Sequence, residues 1–498
     1  MVYFLGAMTL RSSLGGALCL AVLLESPPAM RAQAAPPSQS SAAPLKWSAS
    51  FRSRGEAWDW FDAGEEGKYA FLGSYLRAGL SQQLRNFSWR IEVMAPLLLG
   101  LPDDAVLPAP QGQLGQGANY FAANDGETDA GDLFPKQVYV HLGRQPGQDG
   151  HALRLGRFEF ADGVETTPAD PTVARLKRER LGHRLLGNFT FTHVLRSFDG
   201  AQYAFTSQAR QLLLMVARPT TGVFDTDGWG EVDDMSVLYG AATTPLRMGG
   251  ESGDARLFAL WYEDKRPTAK ADNRPAAIRD ADIDPIRVTT LGGHLLQVFS
   301  TGSGPVDLLL WGALQTGAWG TLDHAATAVA LEVGMQPALG TLEPWFRIGF
   351  FRGSGDGDPT DRSHDTFFQV LPTPRPYARF PFYDFSNTTE VFVTAALHPY
   401  PVATIRAGAR RVRLSESGDL WYVGGGAFED ETFGYTGRPG GGARGLATIL
   451  DLGLTVAPAK WVTVEAYGAL APEDDVVRSI YPEAGTGRLA YLEVELRR

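Results

Sequence analysis

The side chains with the most to offer chemically are arginines. Arg52, Arg54, Arg90, Arg154, Arg347 and Arg410 each fall on the polar side of a stretch in which polar and apolar residues alternate. A guanidinium presents a planar fork of donors that matches a carboxylate through paired hydrogen bonds. Several along one passage would favour an anionic solute, as rings of basic groups do in pores. The same arginines can instead pair with acids on the same faces, such as Glu56 and Glu92, and simply stiffen a wall. The pattern leaves both readings open. A second basic group, Arg175, Lys177, Arg178, Arg180, His183 and Arg184, lies in one long connection. The segment from Ala174 to Leu186 has helical propensity, so it could fold inward as a constriction. It could equally recruit an acidic solute or glycolipid phosphate, or be a solvated charge run.

Two acidic groups suggest a different chemistry. Asp225, Asp227, Glu231, Asp233 and Asp234 cluster in one connection, and Ser354 to Asp361 alternates aspartate with glycine in another. Carboxylates on flexible backbone are hard oxygen ligands suited to calcium, which makes Asp356, Asp358 and Asp361 candidate ligands. Their spacing is not that of an EF-hand loop, and ordinary turn chemistry also accounts for such runs. Beyond that possible calcium no cofactor is expected. No Gly-x-Ser-x-Gly, His-Glu-x-x-His or phosphate-cradling glycine motif is present. Eight histidines would permit a dispersed hydrolase triad without indicating one, so no enzymatic activity is expected.

The elements that must carry these residues are strands. In the first, Trp47, Ala49 and Phe51 oppose Lys46, Ser48, Ser50, Arg52 and Arg54. Near residue 90, Phe87, Trp89, Ile91, Val93, Ala95 and Leu97 oppose Ser88, Arg90, Glu92 and Met94. Period two with one apolar face predicts strands. About 18 are expected, from 45–58, 69–82 and 86–97 onward to 488–497. The connections after strands 3, 5, 7, 9, 13, 15 and 17 are long (98–135, 161–196, 219–233, 265–287, 354–387, 415–443 and 471–487). Those after even-numbered strands are mostly short. Loops sorted by strand parity are the mark of an outer-membrane barrel, not of a soluble sandwich. Trp58, Trp60, Tyr69, Trp345, Tyr400 and Trp461 near strand ends are expected to form interfacial aromatic girdles.

Composition sets the outer bounds. The 498 residues are 44% hydrophobic with a mean hydropathy of -0.13, as in a soluble protein or in a barrel whose apolar outside is diluted by a polar inside. With 45 basic against 56 acidic residues the net charge is -11, which disfavours nucleic acid as a partner. No stretch past the N-terminus has about 18 consecutive apolar residues, so a membrane can be spanned only by a closed barrel. Arg11, the apolar run Ser12 to Leu24 and the small-x-small sequence Ala32-Gln33-Ala34 predict a signal peptide over 1–34. A disordered linker over 35–44 and a single barrel over 45–498 follow. Cys19, the one cysteine, lies inside that signal. The expected location is a bacterial outer membrane with both termini periplasmic. Expected partners are outer-membrane lipid and lipopolysaccharide, the barrel assembly machinery and a small-molecule or polysaccharide solute. The final Leu496-Arg497-Arg498 lacks the aromatic last residue usual for assembly.

Several strings make the chain resemble a known family. They are Gly115-Gln116-Gly117-Ala118-Asn119-Tyr120-Phe121, Phe191-Thr192-His193-Val194, Arg196-Ser197-Phe198-Asp199-Gly200-Ala201, Pro344-Trp345-Phe346-Arg347, Ser354-Gly355-Asp356 and Thr366 through Arg375. In this order and spacing they resemble the alginate export family of outer-membrane proteins. The resemblance implies a monomeric, 18-stranded barrel with an arginine-rich lumen that conducts a polyanion, though the cargo of this branch need not be alginate. Arg196, Asp199, Arg347 and Asp356 match those strings without individual roles. An adhesion or assembly platform acting through the long loops is the competing expectation, and nothing in the residues fixes export against uptake.

Overall fold

The computed structural model describes residues 44–144, 148–248, 251–373 and 379–498. The expected signal peptide and nearly all of the linker lie outside them. Eighteen long strands form the wall: β1 (Lys46–Asp59), β2 (Lys68–Gln83), β3 (Phe87–Leu99), β4 (Phe134–Gly143), β5 (Gly150–Phe158), β6 (Phe198–Thr206), β7 (Gln211–Pro219), β8 (Met235–Met248), β9 (Glu251–Asp264), β10 (Ile286–Phe299), β11 (Val306–Trp319), β12 (Leu322–Met335), β13 (Trp345–Gly353), β14 (Thr388–Tyr400), β15 (Ala403–Leu414), β16 (Gly445–Ala459), β17 (Val462–Ala471) and β18 (Gly487–Arg497). Each pairs antiparallel with its neighbours in sequence. The last pairs with the first, Phe51 opposite Leu496 through Asp59 opposite Arg488, which closes the barrel. Closure leaves no strand edge unpaired, the condition for a sheet in lipid. Among the described residues no helix is long and apolar enough to cross a membrane.

Alternation assigns the two faces as the sequence predicts. In β3, Ile91, Val93 and Leu97 point outward and are exposed, while Glu92, Met94 and Leu98 are buried inside. In β12, Val329, Leu331 and Val333 face out between the inward Ala328, Ala330 and Glu332. Long connections follow the odd-numbered strands, with two exceptions. Only 320–321 join β11 to β12, and the link 60–67 after β1 is modest. The aromatic girdle needs correction. Tyr400 and Trp461 are 68% and 61% exposed at the short-turn end, as a girdle requires. Trp58, Trp60 and Trp345 are buried and face inward, and Tyr69 is half-buried with its hydroxyl on the Leu114 carbonyl oxygen. These rings sit at strand ends because loops fold in to cover them, not because lipid headgroups do.

The long loops 159–197 and 415–444, with the stretches 354–373 and 379–387, turn into the barrel mouth and build a core there. Trp60 and Trp421 stack 6.1 Å apart and nearly parallel, ringed by Phe61 and Phe382. A hairpin (Leu420–Gly424 with Tyr435–Pro439) and a short parallel pairing of Ser363–His364 with Asp323–His324 anchor these loops. The Arg196 guanidinium, fully buried, donates to the carbonyls of Pro372, Gly425 and Ala427 and so ties three loops together. Loop 159–197 lies against the wall at Gly73, where a Cβ would stand 2.2 Å from the His193 ring. Only glycine admits that approach.

Candidate solute pathway

The basic segment of the second long loop enters the lumen. Its helix, α1 here (Pro171–Leu176), starts where Asp170 accepts hydrogen bonds from the Thr172 and Val173 amides with proline at the first turn. It continues as one wide π turn, Lys177–Leu181. Leu176 and Leu181 pack into the core, which drives Lys177 and Arg180 into buried positions. Buried cations need partners, and the wall supplies them. Lys177 Nζ lies 2.7 Å from Asp254. Arg180 binds Glu332 at 2.7 and 3.0 Å, Arg184 reaches the same carboxylate at 3.3 Å, and so does Arg347 from β13. Arg347 also binds Asp307. Arg175 pairs with Glu179 at 3.1 Å over the Trp345 ring. The Arg178 side chain is 68% exposed. Burial lowers the His183 pKa to about 4, so its ring is neutral at pH 7.

The wall arginines are likewise compensated, with one exception. Arg52 donates to the Thr190 and Thr192 carbonyls and lies 3.6 Å from Glu493. Arg54 pairs with Glu56 at 2.7 Å and with Glu493 at 3.3 Å. Arg90 binds Glu92, and Arg410 binds Asp451 at 2.7 Å. The stiffening arrangement expected through Glu56 and Glu92 is therefore present. Arg154 differs: its guanidinium lies 5.2 and 5.3 Å from the ring centres of Tyr139 and Phe158, and its Nε has no partner.

Charge does not cancel everywhere. Below the inserted segment lies a cavity of about 380 Å³. Arg175, Arg178, Arg180 and Arg347 line it together with Arg379 and Arg406. Arg180 and Arg347 are held by Glu332 and Asp307, and Arg379 by Glu465, which leaves Arg175, Arg178 and Arg406 to share Glu179. Sequence reasoning missed Arg379, Arg406 and the acid hub Glu332. Arg406 and Glu332 were available, since Arg406 shares the inward parity of Arg410 and Glu332 stands between outward Leu331 and Val333. Arg379 sits in an irregular loop, where no periodicity points at it.

The calcium candidates do not converge. Asp356 Oδ1 accepts from the Asp358 amide, Asp358 from Thr360 and Asp361 from Ser363, each closing its own turn. Among the described residues no group of three or more histidine, cysteine or acidic side chains is placed to hold a metal. Burial and the nearby Asp419 carboxylate push Asp356 up to about 7. Burial does the same to Asp419, to about 6, opposed by hydrogen bonds from Thr366 and Tyr422.

A model of the alginate export family matches residues 110–469. The chain belongs to the alginate export family. Among curated proteins no sequence matches it. Its fold is that of solved outer-membrane porins. Pseudomonas aeruginosa OccK9 (OpdG) is 12% identical with a TM-score of 0.56, over 91% of this chain and 98% of that one. P. aeruginosa OpdK, solved with vanillate, is 10% identical with a TM-score of 0.53 over 91% and 98%. P. aeruginosa OccK2 (OpdF), solved with glucuronate, is 12% identical with a TM-score of 0.52 over 91% and 97%. This member of the alginate export family is thus a porin-like barrel of the bacterial outer membrane, a channel for solute passage.

Proposed function

We propose that the barrel is a passive channel selective for anionic, hydroxylated solutes, from single ring acids up to acidic polysaccharide, with both termini periplasmic. The observation that carries this is the 380 Å³ cavity, in which the guanidiniums of Arg175, Arg178 and Arg406 share the single carboxylate of Glu179. Most lumenal arginines are paired, so each is largely neutral to a passing solute. The surplus is what attracts an anion, because the field in a low-dielectric cleft is set by uncompensated charge. A carboxylate entering from the short-turn side meets Arg178 and Arg406 first and can exchange hydrogen bonds with the Arg175–Glu179 pair without any covalent step. Glucuronate and vanillate, found with the two similar barrels, are ring carboxylates of the kind proposed.

The reading is tested by reconstituting the barrel in planar bilayers across a KCl gradient. A reversal potential of the sign for chloride preference is expected, with current blocked by added glucuronate. A potential of the opposite sign, or a barrel that passes no current, would sink it.

A further inference from the structure

A second cavity, of about 220 Å³, opens inside the barrel at the short-turn end of β4 to β7. It is separate from the one above, and its floor is a single cross-strand row. His141 stands opposite Arg154, and Arg154 opposite Gln202. Neighbouring strands are about 4.8 Å apart, so the three side chains stand side by side at that spacing on the inner face. Each carries a buried polar atom with no partner: His141 Nδ1, Arg154 Nε and Gln202 Oε1. Unsatisfied buried polar atoms are uncommon and call for an explanation. Three in one row, lining one cavity, share one.

The opposite side of the cavity comes from loop 159–197. Phe160 and Val164, with Leu213 of β7, give it an apolar flank. The loop also brings two acids, each with a cation of its own, although Glu165 Oε2 stays buried without a partner and so offers an acceptor to a ligand hydroxyl. Glu159 lies 3.1 Å from Arg77, and Glu165 lies 2.5 Å from Arg256. Neither comes within ion-pair distance of Arg154, which is the one cation of the cavity left without an acceptor among the described residues.

We propose that this cavity is a binding station for a small monocarboxylate carried on a single ring with at least one hydroxyl. The inference deepens the channel reading and rests on it for how the ligand arrives. One uncompensated guanidinium calls for one negative charge, and a carboxylate is the acceptor its donors fit. The Gln202 oxygen and the His141 ring nitrogen are left to satisfy a hydroxyl. Phe160, Val164 and Leu213 cover a ring face. The volume falls below the roughly 300–1,000 Å³ of sites for drug-sized ligands, so one ring fits and a polymer segment does not.

The probe is 4-hydroxybenzoate, titrated against the full barrel in detergent micelles by ligand-observed NMR, with neutral 4-hydroxybenzamide as control. Arg154→Gln is expected to raise the Kd at least tenfold. Leu213→Trp, which fills the cavity and keeps the cation, is expected to do the same. Arg444→Gln, an exposed arginine paired with Glu416 and outside both cavities, should leave the Kd unchanged, and the benzamide should not bind. Native-like binding in both Arg154→Gln and Leu213→Trp overturns the station, as does equal binding of the benzamide. The bilayer measurement separates the two ideas. Chloride preference with no Arg154-dependent binding defeats only the station. Arg154-dependent binding in a barrel without chloride preference defeats only the channel reading.

Discussion

The two halves of the lumen are filled in opposite ways. Toward the long loops, Trp58, Trp60, Phe61, Phe380, Phe382 and Trp421 pack edge and face into an aromatic core. Toward the short turns, the interior is a lattice of guanidiniums and carboxylates centred on Glu332. The aromatic half is held by removal of apolar area from water, worth about 25 cal/mol per Å² and indifferent to exact partners. The ionic half is held by pairing, in which attraction only offsets the desolvation of each charge. The contrast shows that counting arginines misjudges such a pore. A lumen can be rich in arginine and nearly neutral, and selectivity then rests on the few cations the lattice leaves over.

The sharpest way to break this picture is to remove the hub. Glu332→Ala leaves Arg180, Arg184 and Arg347 without their shared acceptor. Loss of one partner of a buried pair costs about 3–5 kcal/mol, and a fall of that order is expected in urea unfolding followed by tryptophan fluorescence. The freed positive charge should also strengthen chloride preference in bilayers. A loss below about 1 kcal/mol would mean that the lattice is screened by water and is not a buried network. Trp421→Ala tests the other half. Cutting away a fully buried indole costs roughly 3 kcal/mol, but here the loss should stay local. Limited proteolysis is expected to open loop 415–444 while the barrel keeps its resistance to unfolding. Equal loss in both readouts would show that mouth and wall fold as one unit.

Much of this was legible in the sequence, and for a definite reason. The wall obeys a period of two over eighteen strands, so the inward placement of Arg52, Arg54, Arg90, Arg154, Arg347 and Arg410 followed from parity alone. The helical propensity of 174–186 was legible, but not whether the segment folds into the barrel or stays solvated, and the helix itself begins earlier, at Pro171, and ends at Leu176. What could not be read is which acid each arginine meets. Arg180 and Glu332 are 152 positions apart, and Arg52 and Glu493 are joined only because the last strand closes on the first. The girdle assignment failed on Trp58, Trp60 and Trp345 for the same cause. A tryptophan at a strand end faces lipid or loop according to parity, and spacing from the end does not tell which.

Two sets of loop contacts at the mouth should respond to pH in opposite directions. Asp356 and Asp419, which join loops 354–387 and 415–444 through the Asp356 amide on the Asp419 carboxylate, have folded values of about 7 and 6. These exceed the unfolded value of about 3.9. The stability they lend is therefore complete below about pH 4 and is lost as pH rises through 6 to 7. His193, in loop 159–197 beside Glu56 and Arg54 of β1, is held down to about 3, first by burial and then by Arg54. Its contribution is complete above an unfolded value of about 6.5 and is lost as pH falls toward 3. Amide exchange should show the segments around Asp356 and Asp419 loosening on going from pH 5 to 8, and segment 188–196 of loop 159–197 loosening from pH 7 to 4. Asp356→Asn should flatten the first response and leave the second. A common pH profile for both segments would tie them into one cooperative unit.

The smallest effect belongs to the most accessible cation. Arg178 is 68% exposed, and its nearest acid, Glu179 at 3.7 Å, is shared with Arg175 and Arg406. Arg178→Gln should change stability by no more than about 0.5 kcal/mol, as surface substitutions do. It should still move the reversal potential toward zero, and the shift should shrink at high salt because an exposed charge is screened over about 10 Å at 0.1 M. Arg180→Gln should show the reverse order, losing stability through its bonds to Glu332 while moving the reversal potential less. If the paired Arg180 governed selectivity and the exposed Arg178 did not, permeation would run through the lattice by exchange of partners. The leftover cations would then be bystanders.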